Sequence, residues 1–295
     1  QAHARDARRR ARVMGGVSQE HVMRLLYPSN PINFKVADDT YLEEYEAARS
    51  VGFDVSLFSF EDFERGDFKS RPSLQAGDVV LYRGWMLSVP LFENLVRAWE
   101  ARSVQAFTSV AQYKASHHLP EWYPLLSEFT AETVVLKEEV DFVRELADRN
   151  WPGYFVKDYV KSLSTAGGSL ASRPEDIAGV VSLMKKYRGV VEGGVCVRRK
   201  EENEPASERR FFVFRNHALG LGADIPDIVR ACASQIASPF FSVDVARRSD
   251  GVLRLIELGD GQVSDRKDWA VEEFVRALYA AANKPMHATR EDARA

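Results

Sequence analysis

Short apolar runs alternate with amphipathic helical stretches from Met23 onward, which is typical of strand–helix–strand crossover units. A turn with proline follows the first apolar run, and Gly52 separates the first helix from the second strand. We therefore predict a small α/β domain over residues 23–110. Its predicted elements are a strand from Met23, a helix over Asp39–Val51, strands over Asp54–Phe60 and Asp78–Tyr82, and a helix over Pro90–Arg102.

The pattern changes in the second part of the chain, where apolar strands predominate. Residues 111–150 are predicted to be helical and connecting, and Trp151-Pro152 precedes the first strand of this part. A second domain over residues 111–283, with two subdomains and a tail at 284–295, completes an α/β (α+β) chain. Its predicted strands are Tyr154–Val160, Gly189–Arg199, Arg209–Arg215, Phe240–Arg248 and Val252–Leu258, and its helices are Pro174–Lys186, Ile228–Ile236 and Trp269–Ala282.

Residues 1–22 differ from the rest, with five arginines before residue 13 and almost no apolar periodicity. They could form a basic arm for nucleic acid or a transit peptide, or they could be an extension outside the folded body. We favour the extension, expect it to be disordered, and expect a chain that starts at Met23 to keep its nucleotide affinity.

Charge and composition narrow the class of protein. The net charge of -3 and pI near 6.1 give no general attraction to nucleic acid, so a nucleic-acid partner is not expected. Two cysteines fit a reducing compartment better than a disulfide framework. Because the sequence contains no apolar run of about 20 residues, a cytoplasmic protein without membrane spans is expected.

The apolar runs on both sides of Asp250-Gly251 predict a β-hairpin with a two-residue turn. Counting outward from that turn places Asp244 opposite Glu257, about 5 Å apart. Buried opposed carboxylates need a cation, and Mg²⁺ is the natural candidate, with Asp260 as a third oxygen ligand. The alternative is a solvated hairpin with outward acidic residues. If the pair holds Mg²⁺, Asp244→Asn or Glu257→Gln should leave folding intact and abolish turnover, and relief of the like-charge repulsion could even stabilise the metal-free protein.

A second group of residues has the composition of a phosphate-binding segment. On one continuous strand, Lys157 and Lys161 would share a face, and the loop that follows contains Gly167 and Gly168. Lysine charges and a loop that exposes backbone N–H groups can hold phosphates. An edge strand protected by lysines, followed by an ordinary glycine turn, is the alternative.

Two further segments carry candidate residues. Glu192 and Gly193, after an apolar stretch, would suit an adenine amino group and ribose hydroxyls, although an ordinary turn would look similar. Arg210 lies in the aromatic strand R-R-F-F-V-F, where a buried guanidinium is costly unless it meets an anion. His117 and His118 are interpreted as packing or capping residues.

The order of these segments resembles the ATP-grasp superfamily over about residues 111–283. The segments Tyr82–Ser88 and Y-K-A-S-H-H-L-P-E-W-Y resemble its arginine-arginine-lysine clade. The resemblance implies an ATP-grasp fold with an N-terminal pre-ATP-grasp α/β domain. It also implies that Lys157 and Lys161 contact ATP, that Glu192 and its neighbours bind adenine, and that Asp244 and Glu257 hold Mg²⁺.

One position departs from that pattern, because many ATP-grasp enzymes have an asparagine where Gly259 stands. The chemistry implied by the resemblance is formation of an acyl phosphate from a carboxylate, followed by attack of an amine or another nucleophile. In such a ligase, Arg210 and Lys161 would meet the charge on the transferred phosphoryl group.

Arg83 follows a strand of the first domain, at the edge where α/β folds commonly bind ligands. It is expected to clamp the substrate carboxylate, or alternatively to stack on Trp85 or pair with an acid at the domain interface. The expected partners are ATP, a small-molecule or peptide carboxylate, and a nucleophilic acceptor. A kinase on the same fold and a non-catalytic nucleotide or nucleic-acid binding module remain as alternatives, and the sequence indicates no particular oligomeric state.

Overall fold

The protein is represented by a computed structural model that describes residues 23–163, 168–222 and 224–284. The predicted extension at 1–22, Gly167 and nearly all of the predicted tail therefore lie outside the described residues. The boundaries of the two domains stay predictions.

The first sheet is parallel except at one edge, with strand order β3-β2-β1-β4-β5. The first helix ends at Gly52, which has φ 106°. The serines at Ser59 and Ser88 cap the next two helices. In chain order the elements are β1 (Met23–Pro28), α1 (Leu42–Val51), β2 (Asp54–Phe58), α2 (Phe60–Glu64), β3 (Ser70–Arg71), β4 (Val79–Tyr82), α3 (Val89–Glu100) and β5 (Gln105–Ala106).

A connecting segment leads to the second sheet. It contains α4 (Val110–His117), α5 (Leu119–Leu126), the 3₁₀ turn Ser127–Phe129, β6 (Thr133–Leu136) and α6 (Phe142–Glu145). The prediction of a helical and connecting segment missed β6, a four-residue run whose pairing partner lies about 60 residues further on, where Val134 pairs with Val197. Short strands of this kind are stabilised by long-range pairing more than by local sequence.

The second sheet is antiparallel, with strand order β6-β9-β7-β8. The predicted strand from Gly189 was wrong in its first half: Gly189, with φ 79°, ends the preceding helix, and the strand begins only at Val195. Glu192 therefore lies in a loop before a strand, not at the end of one. The elements are β7 (Tyr154–Asp158), β8 (Leu170–Ala171), α7 (Pro174–Arg188) and β9 (Val195–Arg199).

The third sheet is also antiparallel, with strand order β11-β10-β12-β13. Its strands agree with the predicted ones to within about two residues, apart from the short β11, which was not predicted. The elements are β10 (Arg209–Phe214), β11 (His217–Leu219), α8 (Asp227–Gln235), β12 (Phe240–Arg247), β13 (Leu253–Asp260) and α9 (Val271–Ala282).

The two faces of the third sheet are buried in different cores. Phe212 and Phe240 pack with Leu25 and Tyr27 of the first sheet and with Phe274 of α9. The opposite face packs against α5 and α8, with Val243, Leu258, Trp122 and Val229 in one cluster. The third sheet is thus packed on one face against the first sheet and α9, and on the other against α5 and α8.

Within the described ranges, no helix is both long and apolar enough to cross a membrane.

Candidate functional site

Asp244 on β12 and Glu257 on β13 are direct cross-strand partners. This is the pairing that the sequence predicts, and it places both carboxylates on one face of the third sheet. Asp244 is almost completely buried, with a side chain that is 3% exposed, whereas the side chain of Glu257 is 39% exposed. The pair therefore has a buried member and one that is open to solvent.

The loop of the hairpin and the register of its strands differ from the prediction, although the pairing of Asp244 with Glu257 is the same. Its loop has three residues, Ser249 to Gly251, because Arg248 and Val252 are hydrogen-bonded and Gly251 adopts a left-handed φ of 87°. That loop alone would shift the register by one residue. A bulge between Leu255 and Glu257, with Ile256 as the additional residue, restores the pairing of Glu257 with Asp244.

Cationic side chains contact both carboxylates. Arg210 binds Asp244 through two hydrogen bonds, Nε–Oδ1 at 2.8 Å and Nη2–Oδ2 at 2.6 Å, and Lys267 Nζ lies 3.0 Å from the same Oδ2. Lys157 Nζ donates to Glu257 Oε1 at 2.5 Å from β7 of the second sheet. The charge of each carboxylate is thus compensated by protein cations. Carboxylate oxygens are ligands that Mg²⁺ accepts, and a bound ion would take over part of the role of these cations.

Asp260 does not join this pair. Side chains alternate along a strand, so Asp260, three residues beyond Glu257, lies on the opposite face of β13. Its carboxylate accepts hydrogen bonds from Gln262 N at 2.9 Å and from Ser116 Oγ at 3.4 Å. Among the described residues, no three side chains of His, Cys, Asp or Glu converge as a metal site. The structure therefore gives no support to Asp260 as the third ligand.

Gly259 shares the face of Glu257, and two hydroxyls fill the space of its absent side chain. A Cβ at Gly259 would lie 2.8 Å from Ser264 Oγ and 3.0 Å from Ser242 Oγ. The two hydroxyls are 2.8 Å apart and form a hydrogen bond. A larger side chain at position 259 would require this pair to move.

Lys157 and Lys161 do not share a strand face, contrary to expectation. The strand β7 ends at Asp158, and the chain turns back at once, because Asp158 N donates to Lys161 O and Lys157 bridges to Ser162. Lys157 is buried and Lys161 is exposed. Lys161 is near enough to the buried His117 for its charge to help lower the pKa of that imidazole.

Asp158 organises this turn and was not singled out from the sequence. Its carboxylate is fully buried and accepts from the backbone N–H groups of Val160, Lys161 and Glu192, at 2.8, 2.6 and 3.1 Å. Arg188 Nη2 lies 2.7 Å from it. Asp158 thus joins the lysine turn to the loop that carries Glu192. An aspartate at the end of a strand is a recognised turn signal.

The loop after the lysine turn is closed at its base. Leu163 N donates to Ser169 Oγ at 2.6 Å, and Val156 N donates to Ser169 O at 2.7 Å. Gly168 has φ 60°, a conformation that glycine adopts without strain. The geometry of Gly167 itself is not described, so its role stays a prediction.

Glu192 lies in a loop that packs against Tyr159. A Cβ at Gly193, which has φ 75°, would come within 2.2 Å of the Tyr159 ring, so this close approach requires glycine. Tyr159 N donates to Glu192 O at 3.2 Å. His118 Nε2 lies 3.4 Å from Glu192 Oε1. The Glu192 carboxylate is 26% exposed and therefore accessible to a ligand.

Two further titratable groups, His117 and Asp260, are buried. Burial, together with the positive charges of Lys157 and Lys161, lowers the pKa of His117 to about 3, so His117 is neutral. Burial raises the pKa of Asp260 to about 7, although hydrogen bonds from Gln262 oppose the shift. Both histidines are buried, in agreement with their interpretation as packing residues.

Arg83 is enclosed rather than directed toward a substrate. Its side chain is 2% exposed and binds both carboxylate oxygens of Glu44, at 2.7 and 2.8 Å. Its Nη1 donates to the carbonyls of Gly261 and Ser264, and Phe274 lies beneath the guanidinium. Burial alone would lower the pKa of Arg83, but the Glu44 carboxylate raises it. These contacts favour a structural role over a substrate clamp. The ion pair with Glu44 lies within residues 23–110, and the two carbonyls come from the other predicted domain.

An open cleft of about 490 Å³ lies beside Arg210. It combines basic, acidic and apolar side chains on the surface of the third sheet. Its lining residues are Arg209, Arg210, Phe211, Leu221, Asp224 and Asp268.

Lys267 is a site residue that sequence reasoning missed. It follows β13 in a loop without periodicity, and its backbone is left-handed, with φ 44°. The amino group contacts Asp244 and also Glu208. Non-glycine residues with a left-handed φ are often found at functional sites. This conformation of Lys267 is seen only in the structure, because no local sequence pattern predicts it.

The chain belongs to the ATP-grasp domain family 3 of the arginine-arginine-lysine clade, whose family model matches residues 84–278. This match confirms the predicted superfamily and clade, and with them the predicted fold class. ATP and Mg²⁺, the predicted cofactors, are those of this domain class. A search of curated proteins found no match.

Solved structures of ATP-grasp ligases share the fold at low sequence identity. The ATP-grasp ligase PsnB, complexed with minimal precursor, Mg and ADP, is 13% identical, with a TM-score of 0.55 over 89% of this chain and 98% of that chain. The D-cycloserine synthetase DcsG is 16% identical, with a TM-score of 0.56 over 88% and 99%. D-alanyl-alanine synthetase A from Vibrio cholerae is 10% identical, with a TM-score of 0.54 over 90% and 99%.

Proposed function

We propose that this chain is an ATP-dependent ligase that joins a carboxylate to an amine, or to a related nucleophile, through an acyl phosphate. One observation carries the proposal: Asp244 and Glu257 are cross-strand partners, and Lys157 reaches Glu257 from the facing sheet at 2.5 Å. A pair of carboxylates for a divalent cation beside a buried lysine for phosphate oxygens is the arrangement that phosphoryl transfer requires.

In this proposal Asp244 and Glu257 would hold Mg²⁺, and the bound ion would neutralise charge on the phosphates. Lys157 exchanges its contact with Glu257 for phosphate oxygens. Lys161, exposed on the adjacent turn, supplies a second positive charge. Arg210, oriented by its two hydrogen bonds to Asp244, stabilises negative charge on the transferred group.

The nucleotide base is assigned to the loop of Glu192 and Gly193. The Glu192 carboxylate is accessible and lies beside His118, and the glycines keep the backbone close to Tyr159. The backbone N–H groups of Gly167 and Gly168 would cover the phosphates. This placement rests on the chain order shared with the family and on the contacts of Asp158, which joins the Glu192 loop to the lysine turn.

In both steps of the proposed reaction the nucleophile is a substrate group, so no protein side chain forms a covalent intermediate. A carboxylate oxygen of the substrate attacks the γ-phosphorus of ATP, the bond to the β–γ bridging oxygen breaks, and ADP leaves. The acceptor then attacks the acyl carbon and loses a proton, and the phosphate leaves with one oxygen of the original carboxylate. The chain's own groups bind and orient the reactants and stabilise the developing charge.

The acid is proposed to be a small molecule or a peptide carboxylate, and the acceptor an amine or a similar nucleophile. The cleft beside Arg210 supports this assignment, since Arg209 can attract a carboxylate while Asp224 and Asp268 can attract an ammonium group.

A screen of carboxylates against amines for ADP release tests the proposal. A ligase requires both substrates and forms a covalent product, whereas ADP release with one substrate alone and a stable phosphorylated product would indicate a kinase. With the best pair, an acid labelled with ¹⁸O in its carboxylate should transfer one label to the released phosphate. Phosphate without label would exclude the acyl phosphate.

A further inference from the structure

The pairing of Asp244 with Glu257 depends on one additional residue in β13. From Arg247–Leu253 to Val245–Leu255 the two strands pair without interruption, and Ile256 is then skipped before Glu257 meets Asp244. Without this bulge, Ile256 would face Asp244, and Glu257 would lie on the other side of the sheet. A feature that holds the bulge therefore holds the carboxylate pair.

A bulge leaves backbone groups without their usual partners in the ladder. In this hairpin the carbonyls on either side of the irregularity receive donors from outside the third sheet. Arg198 Nη1, on β9 of the second sheet, donates to Ile256 O at 2.8 Å. Thr130 Oγ1 donates to Leu255 O at 2.6 Å. Arg198 Nη2 donates to the same Thr130 hydroxyl at 2.5 Å, which joins the two contacts.

Burial of the Arg198 guanidinium at this position costs free energy. Its side chain is 6% exposed, burial lowers the pKa of its guanidinium, and the Glu257 carboxylate raises it in part. In the described part of the chain its Nε is buried without a hydrogen-bond partner. An apolar side chain would avoid this cost, so packing alone does not account for the arginine.

We propose that Arg198 is a positioning residue, which fixes the Ile256 bulge and thereby sets Glu257 opposite Asp244 for divalent-cation binding. The inference rests on the proposed function, because it assumes that the carboxylate pair holds the cation. Arg198 acts through the backbone of Ile256 and through Thr130, and it does not itself ligate the metal. Outer-shell residues of this kind typically change metal affinity about 10- to 100-fold when they are replaced.

The test compares R198M with a matched control, R254M. Arg254 is also an arginine beside this hairpin, and it contacts the carbonyls of Glu128 and Thr130 and the Glu201 carboxylate, but not Ile256. Binding of Mn²⁺ in the presence of ADP, followed by electron paramagnetic resonance, measures the cation site without turnover. R198M should weaken Mn²⁺ binding by about tenfold or more, and R254M by less than about threefold.

A second variant keeps the test informative if R198M does not fold. T130V removes the hydroxyl between Arg198 and Leu255 and should also weaken Mn²⁺ binding, while affinity for metal-free ADP stays within about twofold of wild type. Wild-type Mn²⁺ affinity in R198M, or in T130V where R198M is unfolded, would overturn the positioning role and leave the proposed function intact. Absence of Mn²⁺-dependent ADP binding in the wild-type protein would instead contradict the proposed function itself.

Discussion

Lys157 Nζ and Glu257 Oε1 lie 2.5 Å apart and join the second sheet to the third. The lysine is 4% exposed and the glutamate 39%, so the contact lies at the edge of a buried region. The Glu257 carboxylate, which by sequence would repel Asp244, is therefore paired with the ammonium group of Lys157. The electrostatics of the metal-free site are those of ion pairs.

The first prediction concerns the stability of the protein without metal. The sequence suggests that Asp244→Asn raises the unfolding free energy, whereas the contacts of Asp244 in the structure predict that it lowers it. Asp244→Asn removes a carboxylate that Arg210 and Lys267 both contact, and it leaves these cations with less compensation. We expect the metal-free variant to lose about 2 kcal/mol or more of unfolding free energy, measured by urea denaturation. Turnover should also be abolished. An unchanged or raised stability would support the repulsion inferred from the sequence.

Lys157→Ala should weaken ATP binding or slow phosphoryl transfer by a factor of tens or more, about 2 kcal/mol for a charge-assisted contact. The physical reason is that a buried ammonium group beside a candidate cation ligand has little competition from water. Lys114→Ala is the matched control, since that lysine is 46% exposed and pairs with Glu121. Wild-type kinetics in Lys157→Ala would assign the lysine to the Glu257 ion pair alone.

Arg83→Lys should lower stability and spare catalysis. The planar guanidinium binds both oxygens of Glu44 and two carbonyls, and a lysine cannot reproduce these contacts. The expected loss is on the order of 2 kcal/mol or more in urea unfolding, with kcat/KM for the acid within about threefold of wild type. Glu44→Gln should behave in the same way. A large fall in kcat/KM without loss of stability would restore the substrate clamp.

Asp260 provides a prediction of pH dependence. Its pKa is about 7 in the folded protein and near 3.8 in the unfolded chain, so the folded state favours the protonated form. Its contribution to stability is fully present below pH 4 and is lost as the pH rises through 7. The stability of Asp260→Asn relative to wild type should therefore increase between pH 4 and 7 and then level off. Urea unfolding over this range measures the difference, and a constant difference would contradict the assignment.

The sequence predicted the carboxylate pair correctly, but by a route with two errors that cancel. The sequence predicts a two-residue turn and no bulge, whereas the loop contains Ser249, Asp250 and Gly251, and a bulge lies at Ile256. Arg198 contacts the Ile256 carbonyl from another sheet, and a contact of this kind cannot be read from the local sequence of the strand. The superfamily could be recognised because the order of the segments survives such local differences.

Some contacts of the other site residues follow from local sequence, and others depend on elements that are distant in the chain. The separation of Asp260 from Glu257 could have been found by counting, because residues three apart on a strand lie on opposite faces. The turn after Asp158, which separates Lys161 from Lys157, had its signal in the aspartate itself. By contrast, the pairing of Arg83 with Glu44 and of Lys267 with Asp244 joins distant elements, and only the tertiary structure reveals it.

Calorimetric titration with a non-hydrolysable ATP analogue, with Mg²⁺ present or removed by a chelator, tests the central claim most directly. The wild-type protein should bind the analogue at least about tenfold more tightly with Mg²⁺ than without it, about 1.4 kcal/mol. The double variant Asp244→Asn, Glu257→Gln should bind with the same affinity in both conditions. Binding that is indifferent to Mg²⁺ in the wild type, or a Mg²⁺ effect that survives in the double variant, would contradict the assignment of these two carboxylates.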